Sequence, residues 1–226
     1  MEAIWPTPTD VALTCLRWLI GIAAGTMLGV GVAVAEGAVA TRRRRGWRLL
    51  AICIRSALDF LRSIPILAIV PMVIMLGVKE RWKIGLIGWA VSFPIWISIR
   101  HARTLEMIDA ELALAASGLS RTGVFRTYTF PKLLIGLLHG IETAIGIAWI
   151  SVVAAESFGT FTKGFWAGGL GHKAIQAYEA NNWSGLLLCL VLFGTLGLGS
   201  ALLWRRLLEL RSRSRTGFNP MAGYGR

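Results

Sequence analysis

The stretch "ELALAASGLSRTGVFRTYTFP", residues 111–131, interrupts a chain that otherwise reads as hydrocarbon. It is too polar to cross a bilayer and too regular in its small residues to be a slack loop. Asp109 to Ser117 favours a short Ala-rich helix. Gly118 can take the left-handed conformation that closes such a helix, and Ser120 can cap a second one over Arg121 to Thr129. Pro131 suits the first turn of the helix after that, where its missing N–H costs nothing. The spacing predicts an elbow of two short helices lying along a membrane surface. Its small side chains, Ala113, Ala116 and Gly118 among them, let another protein approach closely. Its ends are tied to the flanking apolar segments, so movement of a partner becomes movement of transmembrane helices. The other reading is an interfacial helix that rests on lipid headgroups.

Working outward, the apolar segments are long enough to span. Val11 to Ala35 carries one charge, Arg17, and at about 1.5 Å per residue it crosses a core of roughly 30 Å. It has neither the basic stretch nor the cleavage site of a signal peptide and is read as a retained span. After the basic run "TRRRRGWR" (41–48), residues 49–78 form a second span, interrupted by Pro65 and Pro71. A third covers 84–99 and contains Pro94, a fourth 133–155 and a fifth 184–204. The expected fold is an all-α integral membrane protein of about five transmembrane helices. Residues 1–10 form an outer N-terminal segment, 11–204 the membrane domain with its cytoplasmic loop at 100–132, and 205–226 a basic cytoplasmic tail.

Charge placement tests that topology. The formal charge is +12, and 55% of the 226 residues are hydrophobic. With the N-terminus outside, residues 36–48, 100–132 and 205–226 face the cytoplasm and hold 5, 5 and 6 Lys or Arg, against 5 in all the outer segments together. The positive-inside tendency therefore accounts for the basicity without nucleic acid. Cys15, Cys53 and Cys189 all lie in apolar segments with no paired spacing, so neither a disulfide framework nor a metal site is expected. His101, His139 and His172 stand in separate segments, which leaves metal or nucleophilic chemistry without a home. The chain lacks the GxxxxGK[ST] phosphate loop. A self-sufficient channel or secondary transporter remains a rival reading, although the broken helix at 65–71 has no counterpart in the other half.

The interruption resembles the Glu-Ala-Ala loop of ABC importer permeases: Glu-Ala-Ala, three residues, Gly, nine residues, Ile, one residue, Leu-Pro. Gly118 and Pro131 keep the spacing, with Tyr128 and Phe130 at the Ile and Leu places. "LRSIPILAIVPM" (61–72), "FPIWIS" (93–98), "GIAWISVVAAE" (146–156), "GGLGHKAI" (168–175) and Arg17 with Gly21 are similar to the subgroup that imports taurine, alkanesulfonates, nitrate and bicarbonate. The resemblance implies a non-enzymatic inner-membrane subunit that pairs with a second copy or a related chain. Its loop, with Asp109, Glu111, Ala113, Ala116, Gly118, Ser120, Arg121 and Pro131, would sit in a cleft of a cytoplasmic ATPase that holds the ATP and Mg. A separate substrate-binding protein would dock outside. Two departures stand out. Leu112 occupies the motif's Glu place, with Glu111 one residue early; and Glu142 in "GIET" (140–143) stands where relatives carry Arg.

Ionisable groups within spans are candidates for the path or for pairing. Glu142 is placed near the middle of span four, with His139 on the same face, and either lines the path or pairs with Arg17 or Arg55. Facing the path unpaired, it would argue against a small anion. Arg55, Asp59 and Arg62, at i, i+4 and i+7, are expected to form an intrahelical ion-pair stripe. Glu156 closes span four as an exposed acid at the outer interface or as part of a gate or docking surface. Trp47, Trp82, Trp166, Trp183 and Trp204 are read as interfacial anchors. Gly168, Gly169 and Gly171 are expected to make a tight outer turn before a short helix.

Overall fold

A computed structural model describes residues 5–40, 45–65, 68–69, 80–103, 105–157 and 168–215, and the regular structure among them is helical. In chain order the helices are α1 (Pro8–Ala40), α2 (Arg45–Ser63), α3 (Glu80–Ala102), α4 (Leu105–Ala116), α5 (Arg121–Val124), α6 (Phe130–Ser157), α7 (Leu170–Glu179) and α8 (Trp183–Arg215). Four stretches are long and apolar enough to cross a membrane: Pro8–Val39, Glu80–Ala102, Arg121–Ser157 and Trp183–Leu210. They correspond to the first, third, fourth and fifth expected spans. The expected second span falls partly on α2 and partly on residues 66–67 and 70–79, which lie outside the described residues. Within α2 the helical period puts Arg55, Asp59 and Arg62 on one side and Leu50, Ile54 and Leu61 on the other.

The membrane core is built around α3, with α1 packed on one side and α6 on the other. Ile87, Val91 and Ile95 of α3 and Ala144, Ala148 and Val152 of α6 are fully buried, each set spaced by four residues. Lipid is as apolar as these side chains, so association depends on close van der Waals approach. Small residues provide it. A Cβ at Gly25 of α1 would meet Val91 Cγ1 at 2.5 Å, and one at Gly29 would meet Ser92 O at 2.6 Å. On the other flank, a Cβ at Gly140 of α6 would lie 2.8 Å from Ile95 Cα. Trp18 of α1 stacks on Trp149 of α6, ring centroids 5.1 Å apart, and joins the two outer helices past α3.

One expectation is corrected at the start of α6. The second limb of the elbow is not a separate helix over Arg121–Thr129, because the chain stays helical from Arg121 to Ser157. Pro131 therefore sits inside a helix instead of opening one. It has no N–H and its ring crowds the carbonyl four residues earlier. The helix answers by widening to a π turn over Phe125–Thr129, with the Phe130 N–H donating to Phe125 O. Beyond the membrane core, α7 and α8 meet at a tight turn with Asn181 at φ 52°. There Asn182 Oδ1 accepts the Gly185 N–H at 3.0 Å and caps α8.

Candidate functional site

The elbow is fixed by two local devices. Gly118 has φ 91°, its N–H donates to Ala115 O at 3.1 Å, and the Leu119 N–H donates to Leu114 O at 3.3 Å. This pair of bonds is the Schellman closure, and its left-handed residue carries no penalty only as glycine. Ser120 is extended at φ −61°, ψ 151°, and its Oγ accepts the Gly123 N–H at 3.1 Å. A third contact braces the limbs: Thr129 Oγ1 donates to Glu111 Oε1 at 2.5 Å. Glu111, one residue off the motif's register, thus turns back into the elbow. Asp109, Ala113, Ala116, Ser120 and Arg121 are exposed, and Pro131 is half-buried in the helix that follows. Leu112, Leu119, Phe125 and Phe130 are exposed as well, an apolar surface at the end of the bundle.

Two layers of charge bound the transmembrane region. At the elbow end, Glu36 Oε1 accepts Arg55 Nε at 2.9 Å and Nη2 at 2.7 Å, and Glu36 Oε2 accepts Trp96 Nε1 at 2.6 Å. Arg100 lies 3.9 Å from both Glu36 Oε1 and Asp59 Oδ2, with its guanidinium over the Trp96 ring. A cleft of about 420 Å3 connects this layer to the elbow, with Glu36, Arg55, Arg100, Arg103 and Glu111 in its walls. At the far end, Arg17 Nε meets Glu80 Oε1 at 2.6 Å and Arg17 Nη1 meets Glu156 Oε1 at 2.7 Å. Arg17 Nη1 also donates to Gly168 O at 2.6 Å. Glu156 Oε2 accepts the Gly171 N–H at 3.0 Å and lies 2.9 Å from the Thr14 hydroxyl. Gly169, with φ 130°, donates its N–H to Asp10 Oδ1 at 3.1 Å. The glycine turn expected before a short helix is present, and it seats the start of α7 on these acids.

The layers lie where lipid chemistry requires them. Arg17 and Glu36 are 19 positions apart on α1 and Glu80 and Arg100 are 20 apart on α3. At 1.5 Å per residue both separations come to about 30 Å, the thickness of a hydrocarbon core. The charges therefore sit near its edges, where ionic groups are least costly.

Several sequence expectations change in this geometry. Glu142 pairs with neither Arg17 nor Arg55; Arg205 Nε is 3.4 Å from its Oε1 and His139 Nδ1 3.8 Å from its Oε2. Counted back along the helix from Glu156 of the far layer, Glu142 comes about 21 Å into a core of roughly 30 Å, on the elbow side of its middle. Arg55 and Asp59 do not pair along α2, since Glu36 takes Arg55 and Arg100 approaches Asp59. Glu156 is not an exposed interfacial acid; it is fully buried. Among the Trp anchors, Trp82 and Trp183 are exposed near helix ends, Trp204 is partly buried with its Nε1 sealed, and Trp166 lies outside the described residues. Thr14, Glu36, Glu80, Lys83 and Trp96 were not singled out from sequence. The available signal was an acid at each end of a span, opposite the Arg residues already noted.

Comparison with known proteins agrees with the architecture. A family model described as the inner membrane component of binding-protein-dependent transport systems matches residues 21–214. The chain is 30% identical to the SsuC permease named for aliphatic sulfonate transport in Escherichia coli, over 68% of this chain and 55% of that protein. It is 30% identical to an ABC transporter permease of Brucella abortus over 97% of this chain and 88% of that one. The TauC taurine permease of Escherichia coli shares 28% identity over 65% of this chain and 50% of its own length. Alignment thus reaches only about half of either Escherichia coli protein. Among solved structures, an amino acid ABC transporter superposes with TM-score 0.66 at 14% identity, covering 91% of this chain and 92% of the other. The methionine transporter MetNI does so with TM-score 0.66 at 18% identity, covering 89% and 94%. At these identities the structures establish the fold, and the family match establishes the kinship: the chain belongs to the binding-protein-dependent transport system inner membrane components.

Proposed function

We propose that this chain is the translocation subunit of an ATP-driven importer and that a separate ATPase takes hold of it at the elbow. The observation that carries the reading is the continuity of Arg121–Ser157. One helix begins in the exposed elbow, is braced there by the Thr129–Glu111 contact, and ends on Glu156 in the far charge layer. A push on α4 or on the start of this helix is transmitted along a rigid rod to the opposite face. The exposed Leu112, Leu119, Phe125 and Phe130 suit a protein partner better than water. ATP and Mg belong to that partner.

The basic stretches at 36–48, 100–132 and 205–226 support a cytoplasmic elbow and C-terminus in a bacterial inner membrane, with the N-terminus and α7 outside. A binding protein would deliver the solute there, and a second copy or a related chain would complete the path. The relatives' names point to a small organic sulfonate as the solute. Glu142 does not stand against an anion, because Arg205 answers its charge at 3.4 Å.

A photo-crosslinking residue placed at Ala116 or Ser120 tests the reading in native membranes. Capture of an ATP-hydrolysing subunit is expected. Capture of no such subunit from either position, or labelling of both positions from the outer face, overturns it.

A further inference from the structure

The geometry points to a resting site for a small organic anion within the transmembrane region: a cavity of about 330 Å3 between α2, α3 and α6, with the Arg62 guanidinium at its rim. The inference rests on the importer reading and adds to it a place and a chemical class of ligand. Trp89, Phe93 and Pro94 of α3 and Ile147, Ile150 and Ser151 of α6 form the wall. The volume lies at the small end of the range for small-molecule sites.

Depth makes Arg62 unusual. It is seven residues beyond Arg55 of the elbow-end layer, and Pro94 is six residues before Arg100 of that layer. Both therefore lie about 10 Å into the hydrocarbon region. Ser151, five residues before Glu156, lies about 8 Å in from the other side. A guanidinium at such a depth is costly without a counter-charge. Arg17, Arg55, Lys83 and Arg100 each have a carboxylate within 4.0 Å. Among the described residues Arg62 has none. Asp59, three residues earlier, lies instead 3.9 Å from Arg100, and the sequence from 60 to 79 contains no Asp or Glu.

The wall also specifies the rest of the ligand. Trp89, Phe93, Ile147 and Ile150 suit a short hydrocarbon body. Ala90 lines the cavity, and its carbonyl loses the usual helical donor because residue 94 is proline. A molecule with an anionic head, a short apolar body and an optional N–H donor would satisfy all three features. The fork of donors on Arg62 fits two oxygens of a sulfonate or carboxylate.

The test uses the full chain in nanodiscs, with butanesulfonate as the probe and butylammonium as its cationic match, read by equilibrium dialysis. Wild type is expected to bind butanesulfonate saturably and butylammonium not at all. Arg62→Gln is expected to weaken binding at least about tenfold, the scale of one charge-assisted hydrogen bond, with Arg62→Lys between the two. Ile150→Trp keeps the charge but fills the cavity and is expected to weaken binding as well. Equal binding by wild type and Arg62→Gln, equal binding of the two probes, or no saturable binding by wild type overturns the site. ATPase capture at the elbow, measured on the same proteins, reports separately on the importer reading.

Discussion

Arg17 and Glu156 lie 139 residues apart in the chain and meet at 2.7 Å, with both side chains sealed from solvent. The pair closes the far end of the bundle. Arg17 belongs to α1 and Glu156 to the last turn of α6; Glu80 brings in the start of α3, and the Gly168 carbonyl and Gly171 N–H bring in the approach to α7. Two ions out of water are stabilising only when every remaining donor and acceptor is met, and here the backbone before and at the start of α7 meets them.

Removing one member costs most where it leaves a buried charge with no ionic partner. Arg17→Leu strands the fully buried Glu156, leaves Glu80 with only Lys83 at 3.8 Å, and is expected to cost about 3–5 kcal/mol. Glu156→Gln keeps the shape, and Arg17 retains Glu80 and the Gly168 carbonyl, so its cost should be smaller. Thermal unfolding in detergent checks the order. A Glu156→Gln protein less stable than Arg17→Leu would show that Arg17 is not the hub.

At the elbow the expected effect is on coupling and not on folding. Thr129→Val removes the donor to Glu111 and frees the two limbs from each other. Uptake per ATP hydrolysed should fall while the protein remains in the membrane. Gly118→Ala forces a Cβ into the left-handed region at a cost of about 1–2 kcal/mol, and Gly118→Pro cannot adopt φ 91° at all. Transport should therefore decline from wild type through alanine to proline. Uptake at the wild-type ratio in both Thr129→Val and Gly118→Pro would remove the lever from the mechanism.

The elbow was legible in the sequence because its determinants are local. Gly118 and Ser120 each act within five residues of themselves, and the left-handed closure and the cap both occur where the spacing put them. The charge layers were not legible, because Arg17 finds its partners 63 and 139 residues away and periodicity carries no such information. A proline was read as a helix start, whereas a π turn let the helix pass through it. Apolar content marked four of the five expected spans. The second, at 49–78, opens on a helix with one charged side, whose Arg55 is held by an acid of α1.

The short helix α7 should respond to acid. Burial first, then the positive charges of Lys173 and Lys83, hold the His172 imidazole below its ordinary pKa, opposed by Asp10 and Glu179. Its Nδ1 is buried without a partner. A histidine depressed in the fold takes up its proton more readily when unfolded. The unfolded state therefore gains protons first as pH falls, and stability is lost from about pH 6.5 downward. Above that value the contribution is fully present. His172→Gln should flatten the pH dependence of proteolysis near α7 over this window. An unchanged slope would place the sensitivity elsewhere.

The glycines of α6 give a sharp internal contrast. A Cβ at Gly140 would lie 2.8 Å from Ile95 Cα and 3.3 Å from Pro94 O, both backbone atoms of α3 that cannot swing aside. Gly140→Ala should therefore push α6 off α3 and cost about 1–3 kcal/mol, the usual penalty for overpacking. Six residues along the same helix, a Cβ at Gly146 would meet nothing within 4 Å. Gly146→Ala gains about 0.5–1 kcal/mol of helix propensity at no steric cost. The two variants make the same chemical change in the same helix, so the sign of the difference reports packing alone. Thermal unfolding should separate them in opposite directions from wild type. Equal shifts would mean that α3 and α6 are not in the close contact described.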